Sequence, residues 1–352
     1  MALLKEFLKK TAGEVDREIE KFFSRRISKE WVVKYFGEPD FSFDLETLQK
    51  ALVDPVWDFL DRGGKRWRPA LMLLCAEAVG GSRKKALVLS PIPELLHSGT
   101  IVVDDIEDGT ELRRGKPAMH KMFGMDIAIN NGMMLYYLPM VLIAEANYLS
   151  SEQKNKLYKI YVDEMLKLSF GQGMDIFWHR GGKKIVSEDN YLQMCSFKKG
   201  TLARLSAKFG AVIGGADDKT VKLLGDFANT IGVAFQIRDD VLNLSEEKAL
   251  GKEFAEDIHE GKRTLMVIHA FNNSVKKDGE RLLEIISSHP SDDALKREAI
   301  SIMEKAGSMD YASEMAERLV KVAWKKVDKA IPGSNAKSLL CEFADYLVER
   351  KT

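Results

Sequence analysis

An all-α fold, a single-domain bundle of many mostly antiparallel helices around a deep central cavity, is predicted from three observations. Apolar residues recur at three- and four-residue spacing along most of the chain, as amphipathic and buried helices require. Nine prolines in 352 residues leave long helices permitted almost everywhere. No segment alternates with period two for long enough to make a sheet.

The elements follow in order. Leu3–Phe23 sets Leu3, Leu4, Phe7, Leu8, Val15, Ile19, Phe22 and Phe23 among charges, an amphipathic helix within an N-terminal extension of residues 1–45. Asp44–Asp61 repeats the pattern. Pro69–Val79 is a strongly apolar helix with a proline in its first turn and Gly80-Gly81-Ser82 after its end. Ala86–Val103 and Ala128–Tyr148 are apolar nearly all round, as expected at a bundle centre. Leu157–Trp178, Tyr191–Gly214, Val221–Val241, Thr264–Asn272, Glu280–Ser287 and Ala294–Lys329 continue the series. Breaks fall at Arg180–Lys184, Gly214–Asp218, Ser287–Asp293 and Pro332–Ser334. With no linker or short repeat, residues 1–352 read as one domain.

Lysine plus arginine and aspartate plus glutamate both number 53. A formal charge of zero argues against a nucleic-acid or acidic-membrane partner. Cys75, Cys195 and Cys341 are odd in number and form no CxxC, which predicts plain thiols in a reducing compartment. The opening MALLKEFLKK has lysines inside its apolar run, unlike a secretory signal. The longest apolar stretch, about Gly132–Ala146, is too short to span a bilayer and contains Pro139. A soluble cytoplasmic protein with no integral membrane segment is expected.

Two acidic clusters stand at the ends of apolar helices: Asp104-Asp105-Ile106-Glu107-Asp108 and Asp239-Asp240-Val241-Leu242-Asn243. Positions i and i+4 share a helix face about 6 Å apart, so Asp104 projects with Asp108 and Asp239 with Asn243. One such cluster reads as a solvated acidic face. Two, each on an apolar helix, point to Mg²⁺, which takes one or two carboxylates plus the phosphates of a substrate. Phosphate chemistry also needs cations, and they occur in groups. Gly63-Gly64-Lys65-Arg66-Trp67-Arg68-Pro69 is a glycine-led basic loop before a helix start, where backbone N–H groups face an anion. Arg113-Arg114-Gly115-Lys116 follows the first cluster at once, and Lys198-Lys199-Gly200 interrupts an apolar helix. His97 lies two turns before Asp104 on the same face.

Five motifs come in a set order: GGKRWRP, ELLHSGTIVVDDIEDGTELRRGKP, GQGMDIFW, FKKGTL and FQIRDDVLNL…GKEFAEDIHEGKRT. In that order they resemble the trans-isoprenyl diphosphate synthases, or polyprenyl synthetases. DDIEDGTELRRGKPAMH, GQGMDIFW and DDVLN are most similar to the geranylgeranyl diphosphate synthases. The motif-bearing core spans about 60–270. The resemblance implies an isoprenoid-synthase fold and a homodimer. It also implies condensation of isopentenyl diphosphate with an allylic prenyl diphosphate, giving geranylgeranyl diphosphate and pyrophosphate. By the same resemblance about three Mg²⁺ ions serve the reaction, with Asp104, Asp108 and Asp239 as their hard oxygen ligands and Asp105 and Asp240 in support. Arg113, Lys198, Lys252 and Lys262 would neutralise the allylic diphosphate. Lys65, Arg68, His97 and Arg114 would hold the isopentenyl diphosphate without metal, Gln236 would line the pocket, and Lys199 would add a phosphate contact or turn away.

Asn243 stands where many members carry aspartate, and its amide oxygen can still serve a metal or its water. Gly99 and Thr100, five and four residues before Asp104, are small where farnesyl-limited members carry aromatics. An open pocket floor there favours geranylgeranyl product, with longer chains of twenty-five or thirty carbons, or farnesyl, as alternatives. A class I terpene cyclase shares the aspartate chemistry but needs no GGKRWRP loop, His97 or Arg114. A non-catalytic subunit of a heteromeric synthase is the remaining reading, and activity of the purified chain alone separates it.

Overall fold

The structure is a computed structural model that describes residues 2–244 and 254–348. Among the described residues its regular elements are helices apart from one two-stranded hairpin. Chain contacts define two compact units. The N-terminal unit comprises Ala2–Lys159 with Phe209–Gly215, and the C-terminal unit comprises Ile160–Lys208 with the chain from Ala216 onward.

In the N-terminal unit, α1 (Ala2–Phe22) buries Leu4, Leu8, Val15, Ile19 and Phe22 along one stripe, as its 3–4 spacing dictates. The eight-residue α2 (Lys29–Phe36) is unforeseen, since so short a pattern is ambiguous. Ser28 starts it by accepting from the N–H of Trp31 at 3.2 Å. A short α3 (Leu45–Leu48) passes through a π-helical turn, Gln49–Val53, into α4 (Asp54–Asp61). Then come α5 (Trp67–Ala78), α6 (Arg83–Val88) and α7 (Pro91–Glu107). The expected continuous helix Ala86–Val103 is therefore two helices. Pro91 and Pro93 cannot donate, and their fixed φ suits the first turn of a new helix. The hairpin β1 (Leu112–Arg113) and β2 (Lys116–Pro117) precedes α8 (Met119–Phe123) and α9 (Met125–Tyr137). Pro139 likewise divides the expected Ala128–Tyr148, so a 3₁₀ turn, Leu138–Met140, separates α9 from α10 (Val141–Glu145). Phe59, Val102, Met119 and Ala128 form a core cluster beneath the end of α7.

The boundary between units falls within α11 (Ser151–Phe177). The C-terminal unit continues through α12 (Glu188–Lys198), α13 (Gly200–Ile213, entering the other unit at Phe209), α14 (Asp218–Asn243) and α15 (Glu256–His259). It ends with α16 (Leu265–Asn273), α17 (Lys276–Ser287), α18 (Asp293–Lys305), α19 (Ser308–Ala330) and α20 (Asn335–Val348). Tyr191–Gly214 breaks at Lys199, and Ala294–Lys329 breaks at Gly307, whose φ of 68° ends a helical path. α20 is a further element that the sequence pattern missed. α14 is the central helix of this unit and packs along α19, where Phe227 meets Trp324 at 5.5 Å between ring centroids.

Two helical stretches, Arg83–Glu107 and Met125–Glu145, reach the length and hydropathy of a membrane span, more than the sequence reading allowed. Inside the protein, 67% and 50% of their apolar windows are buried.

A carboxylate joins α11 to α13. Glu164, fully buried, accepts from Arg204 at 2.7 Å and Lys208 at 2.8 Å. Burial raises its pKa, but the two cations outweigh that and hold it below its ordinary value. Its contribution to stability is accordingly present above that ordinary value of 4.5 and is lost as pH falls through the depressed folded value. Glu164→Gln should leave the buried Arg204 and the half-buried Lys208 uncompensated and cost about 3–5 kcal/mol in urea unfolding at neutral pH.

Candidate active site

In the N-terminal unit the first acidic cluster closes α7. Asp104 and Asp108 are half-buried and one turn apart, with the Asp108 N–H donating to the Asp104 carbonyl at 2.9 Å. Asp108 caps the helix instead of lying within it. Asp105 turns inward and is 1% exposed. Its Oδ1 accepts from Nε of Arg113 at 2.8 Å and from the same guanidinium's Nη2. Burial pushes the Asp105 carboxyl above the usual range, with Arg113 opposing.

The hairpin turn is Arg114-Gly115, with φ of 51° and 77°. Both values are positive, as a two-residue type I′ turn requires. An arginine rarely accepts that conformation, and such strain persists only where surrounding contacts hold it. Here Arg114 Nη1 donates to the Gly63 carbonyl, and its guanidinium lies 5.3 Å from the centre of the Phe59 ring. Arg62 pins the hairpin backbone through the carbonyls of Arg113 and Pro117, at 3.2 and 2.9 Å. The basic loop and the hairpin are thus joined.

Helix α5 opens two residues earlier than the sequence pattern suggests, at Trp67, so Arg68 is in its first turn. Arg68 is buried, stacks on Trp67 at 4.2 Å, and its Nε has no hydrogen-bond partner among the described residues. Burial pushes its pKa down to about 10. Lys65 is exposed and His97 half-buried on α7. Thr100 is half-buried and donates to the His97 carbonyl at 2.8 Å. Gly99 serves a helix crossing. A Cβ there would sit 2.9 Å from the Gly132 carbonyl oxygen and 2.9 Å from Cβ of Leu135, both on α9. Its small size sets how closely α9 approaches α7.

In the C-terminal unit, Lys198, Lys199, Gln236, Asp240 and Lys262 line one cleft together with Asp175. The GQGMDIFW motif has a mechanical reason there. A Cβ on Gly171 would lie 2.4 Å from the Lys198 amide nitrogen, so only glycine lets α11 press against α12. One turn on, Asp175 accepts from Lys198 Nζ at 2.6 Å, both being buried. Asp240 is also buried. It accepts from Tyr191 Oη at 2.7 Å on Oδ2 and from Gln236 Nε2 on Oδ1. Burial pushes its carboxyl up to about 8, Asp257 adds to the rise, and the two donors oppose it. Asp239 is half-buried. Asn243 Oδ1 accepts from the backbone N–H of Asp257 at 3.2 Å and so joins α14 to α15. Lys262 pairs with Asp257 at 3.3 Å and with Glu260. Lys252 lies outside the described residues.

No group of three or more metal-binding side chains occurs among the described residues. A hard cation such as Mg²⁺ takes one or two carboxylates plus the phosphates of a substrate. Asp104, Asp108 and Asp239 offer oxygen donors of the right kind, while Asp105 and Asp240 are committed to protein partners.

The sequence reading gave no role of their own to Glu94, Asp175 and Tyr191, and named Arg66 only as part of the basic loop. Glu94 carried a signal, a lone charge within an apolar run, and Asp175 lies inside a quoted motif. Tyr191 gave none, since an aromatic on an apolar helix face reads as core.

The polyprenyl synthetase family pattern matches residues 49–303. The chain belongs to that family. It is 36% identical over 290 residues to the short chain isoprenyl diphosphate synthase of Methanothermobacter thermautotrophicus, covering 82% of this chain and 87% of that one. It is also 36% identical over 296 residues to the geranylfarnesyl diphosphate synthase of Aeropyrum pernix, covering 82% and 91%. The crystal structure of geranylgeranyl pyrophosphate synthetase from Pyrococcus horikoshii superposes with a TM-score of 0.86 at 33% identity, covering 99% of each chain. As a member of the family the chain is a prenyltransferase. Tyr191→Phe should remove one donor from the buried Asp240 and destabilise the protein by about 1–3 kcal/mol in urea unfolding.

Proposed function

We propose that the chain is a Mg²⁺-dependent geranylgeranyl diphosphate synthase that condenses isopentenyl diphosphate with an allylic prenyl diphosphate. The observation that carries this reading is the buried basic group of the N-terminal unit, where Arg68 keeps an unpartnered Nε beside Arg66 and Arg114. A site of that kind suits a second diphosphate, which a terpene cyclase does not need.

Asp104, Asp108 and Asp239 would hold Mg²⁺, which when bound stabilises charge on departing pyrophosphate. Arg113, fixed by Asp105, and Lys198, fixed by Asp175, present cations to the allylic diphosphate. Lys262 and Lys252 add to them. Lys65, Arg68, His97 and Arg114 bind the isopentenyl diphosphate. Ionisation of the allylic C–O bond leaves a carbocation, the isopentenyl double bond attacks it, and loss of a proton to pyrophosphate completes a chain five carbons longer. Such a cation survives only where water is excluded.

Thr100, small and half-buried one turn before Asp104, supports a product beyond farnesyl. Geranylfarnesyl is the second reading, favoured by the identity to the A. pernix enzyme. A homodimer belongs to the same proposal. Met125, Ile129, Met133 and Tyr137 on α9 are 49%, 44%, 49% and 63% exposed at one-turn spacing, an apolar stripe suited to a second copy. A cytoplasmic location completes it, with both apolar stretches as core helices.

The purified chain with Mg²⁺, isopentenyl diphosphate and each allylic starter should give geranylgeranyl product when the prenyl chains are sized by mass. Geranylfarnesyl product would select the second reading, and no turnover would select a non-catalytic subunit. Chelation of the metal should abolish turnover, and Asp104→Ala should lower kcat at least about 100-fold. Thr100→Phe should shorten the product, and an unchanged profile would count against this pocket floor. Gly99→Phe is the poorer test, because it forces α9 away from α7.

A further inference from the structure

The basic group holds one acidic residue to which the reaction assigns no role. Glu94 lies in the first turn of α7 and is 2% exposed. Its Oε1 accepts from Arg66 Nη1 at 2.8 Å. Arg66 is itself buried, and its backbone is left-handed, with φ of 46°. Four positions among the described residues combine a side chain with positive φ, and two of them are Arg66 and Arg114. Strain of this kind needs contacts that over-determine it.

Arg66 has such contacts on three sides. Besides Glu94, its Nε donates to Asp16 of α1 at 2.8 Å, and its Nη2 donates to the Leu60 carbonyl at the end of α4 at 3.1 Å. One guanidinium therefore ties α1, α4 and α7 together. It also sets the backbone between Lys65, immediately before it, and Arg68, two residues after. The fit is close: a Cβ on Gly64 would lie 2.9 Å from Arg66 Nη1 and 3.3 Å from Arg114 Nη2. Glu94 acts electrostatically on Arg68 and Arg114 as well, favouring the charged form of each. Without it, three guanidinium groups would face one another in a poorly solvated place.

We propose that Glu94, acting through Arg66, is the positioning residue of the isopentenyl diphosphate site, with Asp16 as its outer anchor. It holds Lys65, Arg68 and Arg114 in place for a diphosphate that carries no metal. The inference rests on reading this basic group as the isopentenyl site.

The test compares Glu94→Gln, which keeps the shape and removes the charge, with Asp16→Asn, which alters only the half-exposed end of the link. Steady-state KM is measured for each substrate. Direct binding of isopentenyl diphosphate without Mg²⁺ is followed by tryptophan fluorescence, since Trp67 stacks on Arg68. Glu94→Gln should raise KM and Kd for isopentenyl diphosphate about 30-fold. Asp16→Asn should raise them about 3-fold. The KM for the allylic starter should change less than about 2-fold in both, because Asp105 fixes Arg113 and Asp175 fixes Lys198 independently of Glu94. A merely structural role would lower the melting temperature without this split. Equal rises in both KM values, or an unchanged KM for isopentenyl diphosphate, overturn the role of Glu94. Should Glu94→Gln not fold, Asp16→Asn decides by the same criterion. A wild-type chain that neither binds nor turns over isopentenyl diphosphate overturns the site reading itself, and this inference with it.

Discussion

Charge buried among helices has to be neutralised by what the helices themselves carry, and the functional side chains here are arranged around that constraint. Removing an ion from water costs several kcal/mol, and only a close, well-bonded counter-charge offsets it. Glu164 meets Arg204 and Lys208, Asp175 meets Lys198, Asp105 meets Arg113, and Glu94 meets Arg66. Three of these four groups include a residue assigned to diphosphate binding or lie directly beside one. The carboxylate keeps the cation charged and holds it still before any substrate arrives. Arg68 departs from the pattern. It is buried near Glu94 and keeps an unpartnered donor, which leaves local positive charge for an anionic ligand.

Backbone geometry supplies the rest of the arrangement. Gly171 lets α11 come close enough to α12 for Asp175 to reach Lys198. Arg66 and Arg114 adopt left-handed conformations that most side chains avoid, and hydrogen bonds to Glu94, Asp16, Leu60 and Gly63 hold them there. The strained arginines therefore sit where the basic loop and hairpin need them, a common location for stored strain.

Much of this was legible in the sequence. The 3–4 spacing predicted the helices, because burial of one face is encoded locally. Asp104 and Asp108 are one turn apart as their spacing requires, although Asp108 proves to be a helix cap. The expected long helices broke at Pro91, Pro139, Lys199 and Gly307, where a missing donor, a cap or a positive φ outweighs apolar pattern. The second cluster divided its labour in a way that spacing does not reveal. Asp240 went inward to Tyr191 and Gln236, and Asn243 went to the backbone of Asp257. Gly99, read as an open floor, proved to be the contact point of α7 and α9.

The sequence by itself determined the helical class, the family and the residue types of the phosphate and metal chemistry. These depend on local periodicity and on motifs whose members lie within a few residues of one another. Only the tertiary structure decided which cations are held by which carboxylates, because those partners are far apart in the chain. Glu94 finds Arg66 across 28 positions and Asp175 finds Lys198 across 23. Tyr191 finds Asp240 across 49, a pairing set by helix packing and by the cost of leaving a buried carboxylate without a donor.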